Sequence, residues 1–170
     1  MRDQRYYIML PHKIARDFFI DGSTCQDAIF KIYFIYMLTK PIVLVVDDEH
    51  DARATVIHFL RERYDCEFKE AKDGEEAVRF VKSGPCDIML LDIKMPKKSG
   101  MAVLKEVKEI NPSIDILMIS AWASEEVAED AMELGATDYA TKPFDLMAIS
   151  LKFSNILAKR NQLSPKRDPA

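Results

Sequence analysis

Asp47, Asp48, Asp92, Ser120 and Lys142 have the side-chain types to handle a phosphoryl group together. Each stands where a run of apolar residues gives out. Asp47-Asp48 follow residues 42–46, Asp92 follows residues 88–91, Ser120 follows residues 114–119, and Lys142 follows Tyr139-Ala140-Thr141. Taken singly, each has an ordinary explanation: Asp-Asp caps helices, Lys-Pro makes turns, and a lone Ser after a strand carries no message. Taken together they have a chemistry. Three carboxylates brought within a few ångströms repel one another and call for a cation. A cluster built only of oxygens suits a hard divalent ion, and Mg²⁺ above all, which keeps several of its waters. Beside that charge, Asp92 could attack a phosphoryl donor and form an aspartyl phosphate. Lys142 could pair with phosphoryl oxygens, and the Ser120 hydroxyl could donate to one.

These residues meet only if the elements bring their strands' carboxyl ends to one edge. The pattern from residue 42 onward does this. Ile42-Val43-Leu44-Val45-Val46 is β-branched and continuous, as in a strand buried on both faces, and Ile88-Met89-Leu90-Leu91 repeats the signal. Residues 67–71 read as a more polar strand at a sheet edge, residues 114–119 as a fourth strand and 139–141 as a short fifth. Between them lie helical stripes: Ala52, Val56, Phe59 and Leu60; Ala77, Phe80 and Val81; Val103, Leu104, Val107 and Ile110; Val127, Ala128, Ala131 and Leu134; and last Ile149, Phe153, Ile156 and Leu157. Asp73-Gly74, Ser83-Gly84-Pro85, Asn111-Pro112 and Gly135 punctuate them. Strand and helix alternate five times. The expected fold is therefore α/β: a flavodoxin-like, doubly wound, five-stranded parallel sheet of order 2-1-3-4-5 with helices on both faces.

Composition narrows the classes. The chain has 170 residues, 48% hydrophobic and 31% charged, with a net charge of −4. Residues 1–36 carry +1 and residues 159–170 carry +3, so the part between holds −8. An acidic middle argues against direct nucleic-acid binding. Cys25, Cys66 and Cys86 are scattered without metal spacing, as free thiols of a reducing compartment are. No apolar run is long enough to span a bilayer, and the N-terminus is broken by Asp3 and Pro11-His12-Lys13, which is no clean signal peptide. A cytoplasmic protein away from the membrane is expected. Residues 1–36 hold eight of the sixteen aromatics yet show weak periodicity. They read either as a docking element or, the favoured reading, as upstream sequence translated from a mistaken start, with Met37 the natural first residue. Residues 159–170 read as a disordered basic tail.

From about residue 40 to 158 the chain resembles the receiver domain of bacterial two-component response regulators. The residues that carry the resemblance are Asp47-Asp48-Glu49, Leu90-Leu91-Asp92 with Met95-Pro96 and Gly100, Ile119-Ser120-Ala121, and Tyr139 with Lys142-Pro143-Phe144. The resemblance implies that Asp92 is the phosphoacceptor and that Asp47, Asp48 and the backbone carbonyl of Lys94 join it around Mg²⁺. It implies that Ser120 and Tyr139 are the switch hydroxyl and switch aromatic, and that the Lys142–Pro143 bond is cis. The donor would be a sensor histidine kinase or a histidine phosphotransfer protein. The output would be a shift between two conformations, read by a downstream protein at the fourth helix, fifth strand and fifth helix, in a monomer or a phosphorylation-dependent dimer. That fourth helix presents Glu125, Glu126, Glu129, Asp130 and Glu133, either as a partner face or as a solvated one. Lys94 and Trp122 flank the site and would slow acylphosphate hydrolysis by keeping water out. With no further domain after Leu157, a stand-alone receiver is expected, catalysing only its own Mg²⁺-dependent phosphorylation and dephosphorylation. Two other classes use similar residues: a small aspartyl-phosphate hydrolase, for which no loop here is long enough to cap a substrate, and a structural interaction domain, which would not need the full acidic set.

Overall fold

β-Branched and aliphatic residues without polar alternation cannot leave a face to water, so the strands they form must lie inside. A computed structural model of the chain describes residues 40–120, 125–142 and 145–163. The expectations for residues 1–36, Trp122 and the Lys142–Pro143 bond, and for the chain after residue 163, lie outside these residues. The chain divides between Lys40 and Pro41. From there, strands β1 (Ile42–Val46), β2 (Glu67–Ala71), β3 (Ile88–Asp92), β4 (Asp115–Ser120) and β5 (Asp138–Thr141) alternate with helices α1 (His50–Arg61), α2 (Gly74–Ser83), α3 (Gly100–Ile110), α4 (Glu125–Glu133) and α5 (Leu146–Leu163). The sheet is parallel throughout, in the order β2-β1-β3-β4-β5. This is the expected fold.

Two apolar layers sandwich the sheet. Alternate residues of the central strands face opposite ways. Leu44, Val46, Met89 and Leu91 pack with Ala77, Val81, Val103, Val107 and Ala131 of α2, α3 and α4. Val43, Val45, Ile88 and Leu90 pack with Val56, Leu60, Ile149 and Phe153 of α1 and α5. Every residue of β3 is buried, which makes it the spine of both layers. Truncating Leu90 or Leu91 to Ala would cost about 2–5 kcal/mol. β2, with three exposed residues in five, lies at the edge, as its polar composition implies.

Where the helical stripes depart from expectation, the reason is position. Ile110 and Leu134 are each 38% exposed, because they fall at the last turn of α3 and just past α4, beyond the reach of the sheet. Phe59 is only partly covered and takes the Arg63 guanidinium over its ring at 3.7 Å. Val78 takes the buried place expected of Phe80. The domain also runs past residue 158. Helix α5 continues to Leu163, and Arg160, read as part of a disordered tail, donates to Asp87 at 2.7 Å and Asp115 at 2.6 Å. A charged residue at the end of a helix reads as solvated until the topology puts two carboxylates opposite it.

Candidate functional site

A sheet ordered 2-1-3-4-5 reverses its winding direction between β1 and β3, and a crevice opens beyond their carboxyl ends. Asp47 follows the last residue of β1 and Asp92 ends β3, so the two acids stand on either side of that crevice. Both are buried, Asp92 to 3% exposure, while Asp48 is exposed. Oxygens of Asp47, Asp48 and Asp92 all lie within 4.8 Å of one another. An octahedral ion with bonds of about 2.1 Å needs oxygens roughly 3–4 Å apart, so this donor set fits Mg²⁺ with small side-chain adjustments.

Lys142 comes to the acids from the far side of the sheet. It follows β5, and its amide donates to the Ser120 carbonyl at 2.6 Å, which registers the β5 end against β4. Its Nζ then reaches Asp47 Oδ2 at 2.8 Å and Asp92 Oδ1 at 3.0 Å. Burial opposes the lysine's charge, but its bonds to Asp47 and Asp92 more than reverse this and hold the ammonium above its usual range. Asp92 shows the opposite balance. Burial pushes its carboxyl up, the bond and charge of Lys142 pull it down, and the neighbouring Asp47 and Asp48 charges push it up again, with a net rise. One lysine does not neutralise three acids, so the cluster keeps an excess of negative charge.

Ser120 is buried at the end of β4, next to Asp92 in the ladder through the Asp92–Ile119 pairing. Tyr139, half-buried on β5, pairs with Met118 and packs on the layer of α2, α3 and α4. The Lys94 side chain is exposed in the loop after β3. That loop is drawn tight: Gly100 N–H donates to the Ile93 carbonyl at 2.9 Å, and Lys97 adopts a left-handed φ of 67°. A non-glycine residue there costs on the order of 1 kcal/mol, and Lys97 Nζ pairs with Asp73 at 3.3 Å. The structure thus brings Asp47, Asp48, Asp92 and Lys142 into one cluster, with Ser120 and Tyr139 on the adjoining strands.

One residue at this edge escaped the sequence reading. Arg53, on α1, is 8% exposed, and its Nη1 donates to the Asp47 carbonyl at 2.7 Å. A signal existed. Arg53 falls three and four residues before Val56 and Ile57, on the buried face of the helix, where a charge needs a partner.

Known proteins resemble this chain in sequence and fold. The family model for the response regulator receiver domain matches residues 43–153. The Escherichia coli transcriptional regulatory protein ZraR is 32% identical over 121 residues, covering 71% of this chain and 27% of that protein. Protein CcdB of Bacillus subtilis is 35% identical over 103 residues, covering 61% of this chain and 86% of that protein. The chain therefore spans about a quarter of the length of ZraR. Among solved structures, the response regulator receiver domain protein from Clostridium thermocellum superposes with a TM-score of 0.66 at 29% identity, over 72% of this chain and 98% of that one.

Proposed function

This chain belongs to the response regulator receiver domain family, and from that premise we propose that it accepts a phosphoryl group on Asp92 from a histidine kinase or a histidine phosphotransfer protein. The observation that carries the proposal is the meeting of Asp47, Asp48 and Asp92 within 4.8 Å, with Lys142 bonded to two of them. Asp47, Asp48 and Asp92, with the Lys94 carbonyl, would hold Mg²⁺, which when bound supplies the positive charge that lets a carboxylate approach a phosphoryl group. The Asp92 oxygen attacks phosphorus, the P–N bond of the donor breaks with its electron pair going to nitrogen, and the imidazole leaves neutral, its ring protonated beforehand from solvent. The product is an acylphosphate on Asp92. Lys142 moves from carboxylate to phosphoryl oxygen, a short step for an ammonium already at 3.0 Å from Asp92. Ser120 donates to another phosphoryl oxygen, and Tyr139 follows it inward. Hydrolysis returns the domain to its first state as water attacks phosphorus, the bond from phosphorus to the Asp92 oxygen breaks, and the free carboxylate and orthophosphate result.

We read the domain as a signalling switch and not as an enzyme acting on outside substrates. A population shift at α4, β5 and α5 would pass the signal to a separate protein. Among the described residues no helix is long and apolar enough to cross a membrane. The test is incubation with acetyl phosphate and Mg²⁺ followed by intact-mass spectrometry. One added phosphoryl group is expected, absent in Asp92→Ala and absent without Mg²⁺. Labelling that persists in Asp92→Ala would remove the assignment.

A further inference from the structure

We infer that Arg53 is a positioning residue for the Asp47–Asp48 pair, holding the end of β1 so that both carboxylates are set for a divalent cation. The inference rests on the reading of the site given above and adds to it a residue that touches neither cation nor phosphoryl group. Beyond Val46 the strand leaves the sheet: the Asp47 amide still donates to the Ala71 carbonyl at 3.3 Å, but the Asp47 carbonyl lies past the ladder. A buried carbonyl without a donor is costly, and the chain around it would shift to find one. Arg53 supplies the donor at 2.7 Å, in a buried hydrogen bond. Its Nε holds Glu70 of β2 at 3.2 Å, so the guanidinium is fixed from two elements at once.

The geometry closes a small ring. Asp47 Oδ1 accepts from the Glu49 amide at 2.9 Å, and the Glu49 carbonyl accepts from the Arg53 amide at 3.2 Å. Asp47, Asp48 and Glu49 are thus held at both ends by the first turn of α1. Oδ2 of Asp47 is left for Lys142. Arg53 bonds to a carbonyl and to Glu70, and to none of the cluster's carboxylate oxygens, so it fixes the acids without taking the cation's place. The guanidinium serves its two acceptors, on different elements, from two separate nitrogens, Nη1 and Nε. A lysine could keep one of the two bonds.

The experiment is calorimetric titration of the full chain with Mg²⁺ for the wild type, Arg53→Met, Arg53→Lys and Tyr64→Phe. Outer partners of metal ligands are worth on the order of 10–100-fold in affinity. Arg53→Met, which keeps the stem and removes the fork, should raise Kd at least tenfold, with Arg53→Lys intermediate. Tyr64→Phe loses its bonds to Ser150 of α5, away from the site; it should lower the melting temperature and leave Kd unchanged. If Arg53→Met does not fold, Arg53→Lys decides: a raised Kd with native circular dichroism supports the role, and a wild-type Kd overturns it. Wild-type Kd in both folded Arg53 variants sinks the inference alone. A wild type that binds no Mg²⁺ sinks the reading of the site, and this inference with it.

Discussion

Gly100 should not tolerate even a methyl group, and the damage should reach Asp92. A Cβ built on Gly100 would lie 2.1 Å from the Asp92 carbonyl oxygen, 2.8 Å from Ile93 Cα and 2.9 Å from the Asp92 carbonyl carbon. The first distance falls about 1.3 Å short of the 3.4 Å at which ordinary contact begins. All three atoms are backbone, so no side chain can swing aside. Either α3 backs away from the sheet or the end of β3 moves. Overpacking costs about 1–3 kcal/mol, and a backbone clash belongs at the upper end. The better helix propensity of Ala returns up to ~1 kcal/mol. A net loss of about 2 kcal/mol lowers the melting temperature of a domain this size by roughly 8 °C. Because reacting groups need placing to within about 0.5 Å, phosphorylation should slow by one to two orders of magnitude. The assays are a thermal melt and the rate of labelling by acetyl phosphate, with Gly84→Ala as the control, since a Cβ at Gly84 meets nothing within 4 Å. Gly100→Ala that melts within about 1 °C of wild type and labels at its rate would refute the reasoning.

Further outcomes follow from the charges. Mg²⁺ at tenfold above its Kd should stabilise the domain by about 1.4 kcal/mol, or ~5 °C, and chelation should reverse it; a melt unmoved by Mg²⁺ contradicts the cluster's reading. Burial raises the Asp92 carboxyl above its unfolded value, so the stability it contributes is present below that value and lost as pH rises through the folded one. Asp92→Asn should therefore melt a few degrees higher than metal-free wild type at neutral pH and equal to it or lower near pH 3; an Asn variant less stable at pH 7 would contradict the sign. Burial first, and then the Asp87 charge, push the Cys86 thiol up to about 12, whereas Cys66 is half-buried. Iodoacetamide at pH 8 should modify Cys66 in the folded protein and Cys86 only in denaturant, as peptide mass mapping would show.

The strands were legible because nothing competes with their pattern: a run such as Ile88-Met89-Leu90-Leu91 has no amphipathic alternative. The meeting of Lys142 with Asp47, across 95 positions of sequence, was legible only through topology, since the strand order decides which ends share an edge. Arg53 was missed and Arg160 misjudged for one common reason. A charged side chain is read as solvated, and the partner that buries it comes from another element: the Asp47 carbonyl and Glu70 in one case, Asp87 and Asp115 in the other. The left-handed Lys97 carries no signal at all, because lysine is not a residue that turn chemistry selects there.

The two edges of the sheet are built to opposite ends. At the amino edge Asp87 accepts from the Ile42 amide and from Arg160, and Asp115 accepts from Arg160 and from the Thr137 hydroxyl. Each acid there has an opposite charge and a hydrogen bond. At the carboxyl edge Asp47 and Asp92 share Lys142 with Asp48 close by, and burial holds the Asp92 carboxyl above its usual range. Charge pairing is thus complete at the amino edge, and like charges crowd the carboxyl edge, where the chemistry is proposed. On the function proposed above, a divalent cation, or a phosphoryl group drawing Lys142 and Ser120 toward it, would relieve that repulsion while the amino edge holds the fold. A ligand shifts an equilibrium only by its different affinity for two states. A carboxyl edge repulsive in one state and compensated in the other would supply that difference, and the clamped opposite edge would confine the proposed shift to the ends of β4 and β5 and the helices that follow them.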